Sequence, residues 1–297
     1  MRARSWLFVP GDSDRKMAKV EQCGADAVIL DLEDSVASEH KAAARSRVQE
    51  FLRAHAVRAP ARPLPQLWVR INPLDSAHAE DDLAAVAVAG PAGIVQPKTR
   101  SPADAIALGH RLDELESGHG LRPGAIRILP ISTETPAALF AMGGFAQVGA
   151  RLAGLTWGAE DLSAAIGANA SRSADGAWTE PFEFVRTLCL FGAAAAGVAA
   201  IDTLHADYRD RDGLQASCAR ARRDGFTGKL AIHPDQVDLI NECFVPAAAE
   251  LAYARRIVEL FAAHPGAAAL SLDGRMVDIP HLRLAEKTLA RATAPIP

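Results

Sequence analysis

The 297-residue chain is poor in the features that mark several specialised protein classes. Aromatic residues make up only 5% of it, which leaves no stacking platform for single-stranded nucleic acid. Cysteine is scarce, with Cys23, Cys189, Cys218 and Cys243 the only four. They form no CxxC pair and no Cys/His ligand spacing, so neither a disulfide framework nor a zinc site is expected. Positive charge is not in excess: 32 basic and 36 acidic side chains leave a net charge of −4, whereas general nucleic-acid binding leans on a basic face. Long apolar runs are missing. The longest, around Cys189–Ile201, is mostly alanine and glycine and falls short of the roughly 20 residues that span a bilayer. At the N-terminus two arginines precede an apolar stretch too short for a signal peptide. No GxGxxG follows the first apolar run, which weakens a dinucleotide-binding reading. Neither an internal repeat nor a low-complexity linker is visible. The plain expectation is a soluble protein of a reducing compartment, the cytoplasm, with no membrane or nucleic-acid partner.

What is present is apolar content, at 49%, enough to exclude a disordered chain and to bury a large core. Short, continuously apolar runs alternate with longer helical patterns. The runs read as strands are Trp6–Val9, Ala27–Leu32, Leu67–Ile71, Gly93–Gln96, Ile126–Ile131, Leu155–Trp157, Val198–Ile201 and Leu230–Ile232. Such runs fit parallel strands covered on both faces. Between them, Ser13–Cys23, His40–His55, Pro102–Glu116 and Pro181–Ala196 read as helices, the last two opening on proline. Repeated strand–helix units imply right-handed crossovers and a parallel sheet. About eight strands is the count that closes a TIM (β/α)8 barrel, with an open doubly wound sheet as the alternative. Beyond Pro234 no strand–helix unit is clear. Asp235–Cys243 and Ala247–Ala263 read as helices, His264–Gly274 as turn-rich, and Met276–Pro280 leads into a last helix, His281–Ala292. The expected organisation is a barrel over 1–235 and a C-terminal helical extension over 236–297.

Polar residues fall where such a barrel places its active site. Nearly every expected strand ends in a polar cluster: Pro10-Gly11-Asp12 with Arg15 one turn on, Asp31-Leu32-Glu33-Asp34, Arg70-Ile71-Asn72, Pro97-Lys98, Ser132-Thr133-Glu134, Gly158-Ala159-Glu160-Asp161, Asp202, and His233-Pro234. In a TIM barrel these ends converge on one face. Glu134 and Asp161 end neighbouring strands, which lie about 4.8 Å apart, so both carboxylates can reach one ion. Two carboxylates with the other positions left to water and substrate oxygens is what Mg²⁺ prefers. Read singly, each would be a helix N-cap; read as a pair beside Arg70 and Lys98, they favour the metal. Arg70 follows the buried run LWV and needs an anionic partner there. It either bridges to Glu33 or Asp34, or holds a carboxylate or developing enolate oxygen, and the two readings are compatible. Lys98 has the same dual reading as a substrate-binding cation. Asp31, Glu33 and Asp34 are expected to position these cations or metal waters. His233 reads as a packed, hydrogen-bonded histidine, and Cys23 and Cys189 as core.

The segments SWLFVPGDSDRKMAK, VILDLEDSV followed by Lys41, WVRIN, QPK, the STET turn, LTWGAEDLSAAIGANASRSADGAW, AIHPDQ and GRMVDIPHL resemble the citrate lyase beta-subunit-like proteins. These belong to the HpcH/HpaI aldolase superfamily, and single-domain members resemble malyl-CoA and citramalyl-CoA lyases. The likeness covers nearly the whole chain in order and spacing. It implies a Mg²⁺-dependent TIM barrel, commonly a homotrimer, that splits or forms a carbon–carbon bond in a 3-hydroxyacyl-CoA. Carried over residue by residue, Glu134 and Asp161 match the metal ligands and Arg70 the substrate-binding arginine. Asp278 matches a tail aspartate, often lent by a neighbouring subunit, that serves as acid or base. Arg15 and Lys19 match basic positions near the CoA phosphates, and the loop from Ala170 is expected to line the same cleft. One departure stands out: where relatives carry an acidic residue after Pro-Lys, this chain has Thr99-Arg100. Without the resemblance, Asp278 reads as the N-cap of the last helix.

Three functions compete on this reading. The first is a lyase yielding a 2-oxo acid and an acyl-CoA. A second is a citrate lyase beta subunit acting on a citryl thioester held by an acyl carrier protein. The third is a non-catalytic acyl-CoA-binding subunit, which the intact set of matched positions disfavours. Thioester hydrolysis at the same site is a further outcome that product analysis would separate.

Overall fold

A computed structural model describes residues 3–56 and 64–293; the outermost residues of the two expected units, 1–2 and 294–297, lie outside it. Eight parallel strands occur where apolar runs predict them: β1 Ser5–Pro10, β2 Ala27–Asp31, β3 Gln66–Arg70, β4 Gly93–Gln96, β5 Arg127–Pro130, β6 Gly154–Thr156, β7 Ala199–Asp202 and β8 Gly228–Ala231. Their order, β5-β4-β3-β2-β1-β8-β7-β6, is that of a barrel cut open between β5 and β6. Across that cut the chain is joined by two isolated bridges, Ile128 to Leu152 and Ile131 to Thr156. The fold is therefore a TIM barrel with helices outside and a C-terminal extension, as the alternation of runs implies.

The helices are α1 Asp14–Met17, α2 Lys41–Ala56, α3 Ala79–Ala87, α4 Pro102–Gly118, α5 Pro136–Leu139, α6 Glu160–Ile166, α7 Glu180–Ala195, α8 Arg211–Asp224, α9 Val237–Cys243, α10 Ala248–Ala263 and α11 Ile279–Thr293. The expected helices do not include α3, α5, α6 or α8. The sequence reading also joined Ser13–Cys23 into one helix. Instead α1 stops at Met17 and a 3₁₀ turn follows at Val20–Gln22. Met17, which ends α1, and Val20, which opens the 3₁₀ turn, are both buried.

Two layers of side chains explain why continuous apolar runs are needed. Alternate residues of each strand face inward, where Trp6, Ile29, Trp68, Val95, Leu129, Ile131, Ile201 and Leu230 form a closed interior cluster. Trp6 and Trp68 meet edge to face with centroids 5.1 Å apart. Their bulk requires Gly93 opposite: a Cβ there would lie 2.2 Å from the Trp68 ring. The other residues of each strand, such as Leu7, Val28, Leu30, Val69 and Ile94, join the larger cluster that packs under the helices.

Beyond α9, which packs on β1 and β8 beside α8, the tail encloses a small core of its own from Ala254, Ile257, Phe261, Leu272, Val277 and Ala285. The stretch expected to be turn-rich holds a β-hairpin, β9 Ala269–Leu272 with β10 Arg275–Asp278. Its two-residue turn places Asp273 at φ 54° and Gly274 at φ 76°, the left-handed pair that Asp-Gly accommodates and that matches strand twist. Among the described residues no helix is long and apolar enough to cross a membrane.

Candidate active site

The C-terminal strand ends gather one connected charge cluster. Asp31, last residue of β2, receives Arg70 from β3 in a two-pronged bridge, Nε to Oδ1 and Nη2 to Oδ2, both 2.7 Å. Its remaining lone pairs take the backbone N–H groups of Glu33 and Ser35. Burial works to raise the Asp31 carboxyl, but Arg70 and these N–H groups outweigh it and hold it below the usual aspartate range. Arg70 is itself only 12% exposed and lies over the Phe8 ring. Burial opposes its charge, yet Asp31, Glu33 and Asp34 together push its pKa upward.

Glu33 is the hinge between Arg70 and Lys98. Its Oε1 accepts from Lys98 Nζ at 2.7 Å, and its Oε2 lies 2.9 Å from Arg70 Nη1 without hydrogen-bond alignment. Burial still dominates and raises the Glu33 carboxyl. Asp34 is exposed and more distant, 3.6 Å from Lys98 and 3.8 Å from Arg70. The loop carrying both acids is pinned from beneath by Lys41, a buried lysine of α2 whose Nζ donates to the carbonyls of Leu32 at 2.9 Å and Glu33 at 3.0 Å. The sequence reading noted Lys41 but gave it no role, because nothing local distinguishes a lysine that turns inward.

Lys98 joins this group to the expected metal pair. Its backbone is left-handed, at φ 48°, and its N–H donates to Glu134 Oε2 at 2.5 Å. Its Nζ lies 3.7 Å from Asp161 Oδ1. Glu134, in the turn between β5 and α5, is buried, whereas Asp161, in the first turn of α6, is 37% exposed. Burial, with Glu33 and Asp161 adding to it, pushes the Glu134 carboxyl up to about 8, against the pull of the Lys98 N–H. Five carboxylates here face two cations, Arg70 and Lys98. The donor set is thus short of positive charge, and hard oxygen ligands of this kind suit a divalent cation such as Mg²⁺. The residues present fit one, as a pair of ligands: no group of three or more His, Cys, Asp or Glu side chains is poised for a metal among the described residues.

Other expected residues lie apart from this cluster. Arg15 and Lys19 are exposed and line a pocket of about 280 Å³ between the ends of β1 and β8, together with Lys16, His233 and Pro234. Lys16 escaped the sequence reading although it shares their short helical stretch. His233 has a more specific place than packing alone: it stacks on Tyr208 with centroids 4.2 Å apart and caps the turn that follows it. The loop from Ala170 is not among that pocket's walls. It closes on itself, with Arg172 over the Trp178 ring and donating to the Gly176 carbonyl. Asp278 ends β10, and its carboxylate pairs with His281 at 2.5 Å. That contact holds it below the usual aspartate range. A larger cavity, about 540 Å³, lies in the tail between α10 and α11, away from this chemistry.

Comparison with known proteins agrees with this arrangement. The family model described as HpcH/HpaI aldolase/citrate lyase matches residues 4–234, and that described as a C–C bond lyase of the TIM-barrel fold matches 185–294. Citrate lyase subunit beta of Haemophilus influenzae is 33% identical over 99% of this chain and 98% of that protein. The mitochondrial citramalyl-CoA lyase of Rattus norvegicus is 31% identical over 98% of this chain and 86% of its own length. The crystal structure of the protein CitE from Mycobacterium tuberculosis in complex with magnesium, acetoacetate and coenzyme A matches with a TM-score of 0.78 and 34% identity, covering 99% of both chains. A barrel whose strand ends carry this cluster, matched end to end by such relatives, belongs to the HpcH/HpaI aldolase/citrate lyase family, and the protein is a carbon–carbon lyase.

Proposed function

We propose that the protein is a Mg²⁺-dependent lyase that cleaves, or forms, a 3-hydroxyacyl-CoA such as malyl-CoA or citramalyl-CoA, giving a 2-oxo acid and an acyl-CoA. The observation that carries this reading is the convergence of Glu134, Asp161, Arg70 and Lys98 on one rim, with Glu134 buried and short of a counter-cation. Glu134 and Asp161 would hold the metal, which supplies Lewis acidity and a template for the oxo acid when bound. Asp31 occupies two of the five N–H donors of Arg70 through aligned bonds, whereas Glu33 faces Nη1 without one, so the two N–H groups of Nη1 are among those open to substrate. These two N–H groups stabilise negative charge as it develops on the thioester oxygen. Lys98 neutralises the side of the cluster facing Glu33, Asp34 and Asp161, and offers its partly exposed ammonium to a substrate carboxylate. Arg15, Lys16 and Lys19 suit the phosphates of CoA.

Asp278 is assigned the proton at the acyl α-carbon. In its own subunit it stands apart from the cluster, so this role calls for a homotrimer in which each tail, within the unit 236–297, reaches a neighbour's rim. Four free cysteines suit a reducing compartment, and the proposal places the enzyme in the cytoplasm. A second reading is favoured by the likeness to citrate lyase subunit beta: the same chemistry on a citryl thioester carried by an acyl carrier protein. A purely binding role without catalysis would leave the gathering of Lys98, Glu134 and Asp161 beside Arg70 without purpose.

Incubation with Mg²⁺ and a panel of 3-hydroxyacyl-CoA thioesters should release glyoxylate or pyruvate together with an intact acyl-CoA, identified by mass. Free CoA in place of acyl-CoA would indicate hydrolysis. No turnover of any CoA ester, with turnover of citryl-acyl carrier protein, would transfer the assignment to the second reading, and silence on both would end it.

A further inference from the structure

The two carboxylates of the proposed metal pair stand on opposite sides of the cut in the barrel. Seven of the eight strand junctions are continuous parallel ladders, but β5 and β6 meet only at isolated bridges. Glu134 follows β5 and Asp161 follows β6, so the ordinary ladder that fixes neighbouring strand ends in a barrel is missing where a fixed spacing matters most. Side-chain hydroxyls reinforce the few backbone bonds that cross the cut, such as Ala153 N–H to the Ile128 carbonyl at 2.9 Å. Ser132 N and Oγ both donate to the Thr156 carbonyl, at 2.9 Å and 3.1 Å. One step nearer the rim, Thr133 Oγ1 donates to the Gly158 carbonyl and accepts from the Gly158 N–H, both at 3.1 Å. A single hydroxyl thus answers both backbone groups of one residue, as a ladder partner would. Thr133 is fully buried. It immediately precedes Glu134, and Gly158 lies three residues before Asp161.

We propose that Thr133 is a positioning residue that sets the distance between Glu134 and Asp161 by clipping the end of β5 to the end of β6. The inference rests on reading those two carboxylates as a cation-binding pair. The Thr133 hydroxyl is satisfied by Gly158 and contributes only by holding the backbone from which the two acids project. Groups that orient metal ligands from behind commonly alter metal affinity about 10–100-fold when removed.

The test is Thr133→Val, which keeps the shape and deletes both bonds, read by Mn²⁺ binding to the full-length protein without substrate. The dissociation constant should rise about tenfold, and Thr133→Ser should restore it. Thr227→Val is the control: it removes a comparable hydroxyl bond, to the Ala200 carbonyl at 3.2 Å, between β7 and β8 at the other end of the barrel. It should lower stability without changing Mn²⁺ affinity. Hydrogen–deuterium exchange of the metal-free protein supplies a second readout, with faster exchange in 132–135 and 156–161 expected for Thr133→Val. Should valine not fold at this position, Thr133→Ala carries the same comparison. An unchanged Mn²⁺ affinity in the folded variant overturns the proposal. Wild-type protein that binds no Mn²⁺ removes the cation-pair reading instead. Exchange then decides the clip by itself, and unaltered exchange rejects it.

Discussion

Replacing Glu134 with glutamine is expected to stabilise the metal-free protein while removing its cation site. The Glu134 carboxyl is raised from the ordinary 4.5 to about 8 by burial and by Glu33 and Asp161 nearby. The sign follows from proton counting. Below pH 4.5 folded and unfolded chains both hold the proton, and no penalty exists. Between 4.5 and 8 the unfolded chain has released the proton and the folded one keeps it, so folding loses about 1.4 kcal/mol per pH unit. Above pH 8 the loss is complete, at ~5 kcal/mol. Glutamine keeps an oxygen for the Lys98 N–H and carries no charge to bury. In EDTA at pH 8.5 the variant should therefore melt higher than wild type, by on the order of 10 °C for a chain of this size, and the difference should vanish toward pH 4.5. The same shift makes wild-type metal binding a proton-releasing reaction. About 0.9 proton should leave per ion at pH 7 and about 0.1 at pH 9. Apparent affinity should climb nearly tenfold per unit up to pH 8 and then level. Thermal melts and calorimetry in buffers of different ionisation enthalpy measure both. A variant that melts at or below wild type at pH 8.5, with no proton release on metal binding, would refute the argument.

Further perturbations probe separate parts of the construction. Gly93→Ala drives a methyl into the Trp68 ring, which Trp6 prevents from retreating; denaturant unfolding should show a loss of about 1–3 kcal/mol or more. Arg70→Lys keeps the charge but loses the two-pronged bridge to Asp31, so kcat/KM should fall at least ~100-fold with little change in fold by circular dichroism. Lys41→Met removes two charged hydrogen bonds, to the carbonyls of Leu32 and Glu33, which keep only Asn72 Nδ2 and the Val36 N–H as donors. Stability should drop by about 1–3 kcal/mol, and limited proteolysis near 33–38 should accelerate. An unchanged cleavage pattern would show that Lys41 does not hold that loop.

The strands and the barrel are legible because the rule behind them is local. A strand buried on both faces must be apolar at every position, and Ala27–Leu32 or Gly93–Gln96 announces this within a few residues. The polar residue after each run then marks the rim. Helices α3, α5, α6 and α8 escaped because they are short or strongly polar, as in Arg211–Asp224, and their burial depends on what they cover. The joined helix at Ser13–Cys23 had the right periodicity for either an α-helix or a 3₁₀ turn, and contact with the barrel selected the tighter form. The hairpin at Ala269–Asp278 was hidden by its exposure, although Asp273-Gly274 is a strong turn signal.

The sequence by itself determined the class of fold, the face on which chemistry takes place, and the residue types that populate it, since all three follow from the order of apolar and polar side chains along the chain. Tertiary structure alone decided which charges meet. Arg70 finds Asp31 across 39 residues and Lys98 finds Glu33 across 65. Whether a carboxyl titrates low, as at Asp31, or high, as at Glu134, depends on the sum of burial and neighbouring charge. That sum is a property of three-dimensional surroundings, in which distance through space replaces distance along the chain.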